Sequence, residues 1–301
     1  MWRPQISRMP STNVGAGSAE RMLEGKVGIV TGAPRGIGIA ICHNLASKGC
    51  SLVLNYTSDS SAAAAEELAS QLQREYGVKA VPVQADLGSE NGPEYLISMA
   101  KSSFQHPKTQ KFQLDILINN AGVAHNNKID EVNAEDFAWQ YNTNVRGPLF
   151  LIKAALPYLP HDRSGRIVNL SSVSASCGFI GQSVYGGTKA ALEAMTRTWA
   201  RELSERAIVN AVNPGPVGTD MYWNSKPDFF DMIKPFLQNT PLAAPRDGVD
   251  SKELVEASKK AGGRPAYEEE IAGVIAMLCS PDAAWSTGNV VCANGGFRFS
   301  V

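Results

Sequence analysis

A doubly wound α/β fold on a parallel sheet is what this chain of 301 residues predicts. Three observations predict it. Short apolar strand patterns alternate with helical ones along most of the chain. A glycine-rich turn joins the first strand directly to the first helix. A later strand-to-helix junction, residues 172–189, carries a serine, a tyrosine and a lysine where a helix begins.

Composition bounds the rest. With 44% hydrophobic and 19% charged residues, the chain can bury a sizeable core as one large domain, placed at residues 25–301. A net charge of −1 without basic runs argues against a nucleic-acid partner. No apolar run approaches the roughly 18 residues of a membrane span. Five cysteines, an odd number without a Cys-x-x-Cys pair, read as reduced thiols of an intracellular, cytoplasmic protein. The four histidines share no ligand spacing, so no metal site is expected. Residues 1–22 hold three arginines and no acid before Glu20. That suits an organelle transit peptide, but Pro4 and Pro10 interrupt any amphipathic helix, and residues 1–24 are read as a disordered tail.

Taken in order, Lys26-Val-Gly-Ile-Val30 is the first strand, and Thr31-Gly-Ala-Pro-Arg-Gly-Ile-Gly38 follows it into a helix over 39–47. Glycines at 32, 36 and 38 let backbone approach a pyrophosphate, and the helix N-terminus offers N–H donors there. A plain glycine turn is the competing reading. The second strand, Ser51-Leu-Val-Leu-Asn-Tyr56, ends without the acid that would bind the 2′-hydroxyl of NAD. Arg35 in the glycine turn, with Asn55, Tyr56 and Ser58 at the strand end, suits a 2′-phosphate instead, which favours NADP(H). A helix over 62–76 and a strand over 80–85 follow. Asp86 could bond the adenine amino group or cap a helix starting near Ser89.

Residues 105–113 form a polar loop. The fourth strand, 114–118, runs into Asn119-Asn-Ala-Gly122, where paired asparagines can tie neighbouring loops together and Gly122 leaves room for a cofactor. A helix is read over 134–158. Asn144 inside it is unfavourable by propensity and invites either a functional role or simple exposure. The strand over 166–170 delivers Ser172 past its end. Tyr185 and Lys189, four apart on the next helix (184–204), leave on one face. An ammonium beside a phenol lowers its pKa, which makes Tyr185 a candidate acid or base. Tyr222 and Lys226 repeat the spacing by chance: Val209, not a serine, stands thirteen residues before Tyr222, and Pro227 disfavours a helix there. The strand over 207–212 leads through Pro214 and Val217 to Thr219, within reach of a phosphate or the nicotinamide amide. Residues 222–266 follow no clean period. A helix at 268–278 and a strand at 288–293 close the chain.

These residues carry a resemblance. Thr31-Gly-x-x-x-Gly-Ile-Gly38, Asn119-Asn-Ala-Gly122, Asn144, Ser172, Tyr185-x-x-x-Lys189 and Asn213-Pro-Gly215 stand in the order and spacing of the short-chain dehydrogenase/reductase family. The likeness covers 25–299. It is nearest in pattern to NADP-dependent ketone reductases such as 3-oxoacyl-thioester and fungal hydroxynaphthalene reductases. The resemblance implies a Rossmann-like sheet of seven parallel strands in order 3-2-1-4-5-6-7. It implies that Tyr185 protonates a ketone oxygen, Lys189 binds the nicotinamide ribose and lowers the tyrosine pKa, Ser172 holds the carbonyl and Asn144 positions a relay water. Cofactor contacts would come from Gly32, Arg35, Gly36, Ile37 and Gly38 in the turn. Asn55, Tyr56, Ser58 and Asp86 would serve at the strand ends. Asn120, Gly122, Tyr185, Lys189, Pro214, Val217 and Thr219 would complete them. A homodimer or homotetramer, pairing helices 134–158 and 184–204, is implied too. Departures are Pro34, usually a small or polar position, and the lengthened stretches 105–113 and 241–263.

The function expected is reversible, NADPH-dependent reduction of a ketone to a secondary alcohol. A non-catalytic NADP-binding protein and a non-reductive rearrangement or dehydration are the alternatives on the same fold. The segment 218–266 is expected to cover the substrate as a lid. Met221, Tyr222, Trp223, Phe229, Phe230 and Phe236 would make its pocket apolar and suited to an aromatic ketone, with Phe179 and Ile180 opposite. Packing of the lid onto the body would account for the same rings. The polar stretch 245–260 is read as a solvent-facing excursion of that lid.

Overall fold

The computed structural model describes residues 21–299. Seven parallel strands form one sheet in the order β3-β2-β1-β4-β5-β6-β7. They are β1 Val27–Val30, β2 Ser51–Tyr56, β3 Ala80–Gln84, β4 Ile116–Asn119, β5 Gly165–Leu170, β6 Ala207–Pro214 and β7 Val290–Ala293. β5 and β6 are buried along their whole length, as strands covered by helices on both faces must be. Parallel strands need crossovers, and helices α1 (Ile37–Ser47), α2 (Ala62–Tyr76) and α3 (Gly92–Phe104) supply the first three.

One core lies between the sheet and α1 with α11 (Glu268–Cys279); it includes Ile41, Leu45, Leu54, Ile118 and Ile275. The other lies on the opposite face and includes Ile29, Leu96, Leu117, Leu151 and Trp199. Leu23 is buried in the first core, and its N–H donates to the Lys48 carbonyl, so the folded body begins before Gly25, where the sequence placed its start. The expectation for residues 1–20 lies outside the described residues.

The helix expected over 134–158 is broken. α4 (Ala134–Tyr141) passes through a π turn, Asn142–Arg146, into α5 (Gly147–Ala155). The wider turn carries Asn144 inward, to 1% exposure. Asp86 caps no helix: α3 starts at Gly92, and the Asp86 carboxylate accepts the Gly88 N–H at 2.9 Å in a local turn. After β5 come α6 (Ser174–Cys177) and α7 (Ser183–Glu202).

Residues 222–266, read as aperiodic, hold α9 (Pro227–Gln238) and α10 (Lys252–Ala261), preceded by the short α8 (Asp220–Trp223). Pro235 inside α9 masked its period, since a proline removes one helical hydrogen bond. α10 carried legible signals at both ends. The Ser251 hydroxyl accepts the Leu254 N–H, and Gly262 takes φ 88° as the left-handed cap. The stretch 245–260 faces solvent only in part: Arg246, Asp247, Lys252 and Glu253 are exposed as expected, but the stretch also has a buried side. Leu254, Val255 and Ser258 are buried on the inner face of α10, and Asp250 is buried before it.

Candidate active site

All the singled-out groups gather at the carboxyl ends of the strands, where open α/β sheets bind ligands. β5 ends at Leu170 and releases Ser172; its hydroxyl accepts the Ser174 N–H at 3.1 Å and donates to the Ser174 hydroxyl at 3.1 Å. α7 carries Tyr185 and, one turn on, Lys189. The Lys189 ammonium is buried, donates to the Leu170 carbonyl at 2.7 Å and sits 5.7 Å from the Tyr185 ring centre. A chain of side-chain bonds fixes α7 on the sheet. Asn119 of β4 donates to Asn169 of β5 at 2.7 Å, and Asn169 donates to Thr196 of α7 at 2.8 Å. Sequence reasoning missed Asn169 and Thr196; polar residues within an apolar strand and helix were the available signal.

Asn144 makes three side-chain hydrogen bonds: it accepts the Val123 N–H at 2.9 Å and donates to the Val123 carbonyl at 2.8 Å and the Thr188 hydroxyl at 3.1 Å. It thereby holds the 122–123 turn beside Lys189. A Cβ on Gly122 would stand 3.3 Å from the lysine nitrogen, so a small residue is required there.

The expected depression of the tyrosine pKa is absent. Burial raises the Tyr185 phenol, and only the Ser172 hydrogen bond opposes it. Burial also pushes Lys189 down to about 8, because a desolvated ammonium is costly. Tyr185 therefore holds its proton at neutral pH. The second tyrosine–lysine pair is not an active-site pair. α8 ends at Trp223, so Lys226 is not one helical turn from Tyr222, and the Tyr222 ring is buried among Ile233, Leu237 and Ala243.

The glycine turn passes over β1 into α1. Gly36 adopts φ 53°, open to glycine at little cost. Gly38 packs against the turn's own backbone, where a Cβ would lie 2.8 Å from the Ala33 carbonyl oxygen. Thr31 was not singled out beyond its place in the turn, yet its hydroxyl accepts the N–H groups of Asn120 and Ala121, both at 2.9 Å. Asn120 returns the tie through its amide to the Thr31 carbonyl at 2.7 Å. Thr219 leans on the turn as well: its methyl would stand 3.1 Å from a Cβ on Gly36.

This cradle fits a dinucleotide. A Cβ would fill it, Arg35 stands exposed within it, and Ile37 opens α1. Tyr56 is half-buried and Ser58 exposed at the end of β2. Asn55 is a correction: fully buried, it donates its side-chain amide to the Ala85 carbonyl at 3.0 Å, bracing β2 on β3 rather than facing a phosphate. Asp86 is exposed past the end of β3. Pro214, at the end of β6, and Val217, just beyond it, are buried. Glu268, also missed by the sequence reading, lies near Gly36; burial, with Glu269 and Asp220 nearby, pushes its carboxyl up to about 7.

Most of the lid rings pack on one another. Tyr222 meets Trp223 at 4.8 Å and Phe230 at 5.2 Å, both edge to face. Phe236 stacks on Phe297 at 5.4 Å and meets the edge of Phe179 at 5.5 Å. Cavities of about 460 and 380 Å³ lie along α1 and between α11 and β7; neither is lined by Ser172, Tyr185 or Lys189. No helix among the described residues is long and apolar enough to cross a membrane.

Sheet order, glycine cradle and tyrosine–lysine pair together agree with the family model described as short chain dehydrogenase, which matches residues 26–228. The chain belongs to that family and is an oxidoreductase. It is 52% identical to L-xylulose reductase of Aspergillus niger over 297 residues, covering 93% of this chain and 99% of that protein. It is 45% identical to L-xylo-3-hexulose reductase of Hypocrea jecorina over 302 residues, with the same coverages of 93% and 99%. Among solved structures, a blue fluorescent protein from a metagenomic library, crystallised in complex with NADPH, superposes with a TM-score of 0.76 at 31% identity. That match covers 92% of this chain and all of the other.

Proposed function

We propose that this protein is an NADPH-dependent reductase of a ketose, converting its ketone to a secondary alcohol and running in reverse when products accumulate. Bound NADPH supplies the hydride. Ser172 donates a hydrogen bond to the ketone oxygen and orients it. Tyr185, protonated at neutral pH, gives that oxygen its proton. Lys189 holds the ribose and the charge beside the phenol. Asn144, which orders the turn next to Lys189, is assigned the relay water. Gly32, Gly36, Gly38, Ile37 and Gly122 leave room for the dinucleotide. Pro214, Val217 and Thr219 wall it on the far side. Exposed Phe137, Trp139 and Leu149, on the helices the resemblance pairs, support a homo-oligomer.

What carries the substrate class is the likeness to the two relatives named for xylulose and hexulose reduction, 52% and 45% identical over 93% of this chain. The aromatic-ketone reading rested on lid rings that largely pack on one another. A panel of ketoses and bicyclic aromatic ketones, followed by NADPH absorbance, decides between them. The expected result is higher kcat/KM on five- and six-carbon ketoses than on the aromatic ketones. Preference for the aromatic ketones would reverse the assignment.

The cofactor reading has its own test. Arg35 is exposed in the turn and has no ion pair among the described residues, so its guanidinium is available to a 2′-phosphate. Arg35→Ala should weaken NADPH roughly ten- to hundredfold and leave NADH unchanged. Equal weakening of both would mean that Arg35 only shapes the turn.

A further inference from the structure

We infer that segment 245–262, within the lengthened stretch 241–263, is a clamp on the cofactor loop, with Asp250 and Tyr267 as positioning residues that hold 217–219 against the glycine turn. The inference rests on the reading that the glycine turn binds NADPH.

The loop after β6 is held from one side by a single short pairing. Val217 bridges Ala266 in parallel. The Ala266 N–H donates to the Pro216 carbonyl at 2.8 Å, and the Gly218 N–H donates to the Ala266 carbonyl at 3.0 Å. Ala266 therefore helps to position Thr219 on Gly36, together with the Trp223 indole N–H, which donates to the Gly218 carbonyl at 2.9 Å. Tyr267, the next residue, is tied in two directions. Its N–H donates to Glu270 at 2.8 Å, and Glu270 receives both arms of the Arg264 guanidinium at 2.9 and 2.8 Å. Its hydroxyl donates to the Asp250 carboxylate at 3.0 Å.

Asp250 is a built acceptor. Its side chain is fully buried, its other oxygen accepts the Arg246 N–H at 2.7 Å, and the Arg246 guanidinium stands 3.1 Å away. A buried carboxylate is stable only when its oxygens are matched in this way. Burial and the bond to Asp250 together push the Tyr267 phenol up to about 12, so it donates throughout the physiological range. α10 adds Leu254, which shares a cavity wall with Gly218, Ala266 and Tyr267. The segment thus ends on the residue beside the one that pairs with the cofactor loop, and not on the substrate groups Ser172 and Tyr185.

Tyr267→Phe removes one hydroxyl and keeps the ring, and Asp250→Asn keeps the shape. NADPH dissociation constants come from titration of nicotinamide fluorescence, and steady-state constants from a ketose at saturating NADPH. Each variant should raise the NADPH Kd roughly five- to tenfold. The double variant should go little further, because Tyr267→Phe removes the shared bond and Asp250→Asn weakens the same link by taking away the carboxylate charge and one acceptor oxygen. At saturating NADPH, kcat and the ketose KM should stay within about twofold of wild type. Lower thermal stability with wild-type NADPH affinity would make the network a plain structural brace and overturn the inference. A fall in kcat without a change in NADPH Kd would overturn it too. Wild-type protein that fails to bind NADPH would sink the cofactor reading itself, and the clamp with it. Should Asp250→Asn not fold, the NADPH Kd of Tyr267→Phe alone decides for or against the clamp.

Discussion

Tyr185→Phe should abolish most ketone reduction while leaving NADPH binding in place. The substitution removes a single oxygen from α7, so the helix, the Lys189–Leu170 bond and the fit against β5 persist. What disappears is the proton donor beside Ser172. Loss of a positioned acid costs roughly 10²–10⁴-fold in rate, and kcat should carry the loss. Tyr222→Phe is the matched control. Its hydroxyl is buried in the lid without a partner, and removing it should leave turnover near wild type. Equal, wild-type rates for both variants would move the acid elsewhere.

The pH profile follows from the same geometry. Burial holds the Tyr185 phenol above its ordinary value, so the acid form persists through neutral pH and supports reduction there. Lys189, lowered to about 8, loses its charge above that point. Reduction should therefore be level below about pH 8 and decline above it. Alcohol oxidation needs the phenolate and should rise towards alkaline pH. A reduction rate that climbs through about pH 9 contradicts this reading of Tyr185.

Gly38→Ala should be the most damaging single methyl in the cofactor cradle. The added carbon would fall on the Gly32 carbonyl oxygen and lie 2.8 Å from that of Ala33. Both neighbours are backbone, which cannot rotate away. Overpacking costs about 1–3 kcal/mol in an ordinary core, and here relief requires the first turn of α1 to move off β1. The expected result is a lower melting temperature together with NADPH binding too weak to titrate. Gly77→Ala gives a contrast outside the cradle: its φ of 68° carries backbone strain, but its Cβ meets nothing within 4 Å. It should lose some stability and keep the cofactor. A Gly38→Ala protein that binds NADPH normally would show that α1 can shift without disturbing the site.

The sequence by itself determined the parallel sheet, because buried strands read as short apolar runs between helical periods. β2 spans Ser51–Tyr56 as read, and the other strands shifted by at most about two residues at either end, the ordinary uncertainty of element boundaries. It also placed Ser172, Tyr185 and Lys189 near one another, since local spacing joins them on one strand end and one helix. Tertiary structure alone decided the rest, for identifiable physical reasons. The π turn at 142–146 is a packing outcome that a helical period hides, and it buries Asn144 against Val123 and Thr188. Asn55 looked like a phosphate ligand because sequence shows the residue type and not the direction of its amide, which turns inward to Ala85. The tyrosine pKa went opposite to the local rule, because burial of both Tyr185 and Lys189 outweighs their proximity. The polar segment before α10 faces solvent, as charge usually does, except at Asp250. Arg246 is only four residues from Asp250, but the fold alone brings the Tyr267 hydroxyl to that carboxylate, a partner seventeen residues on that no local pattern announces.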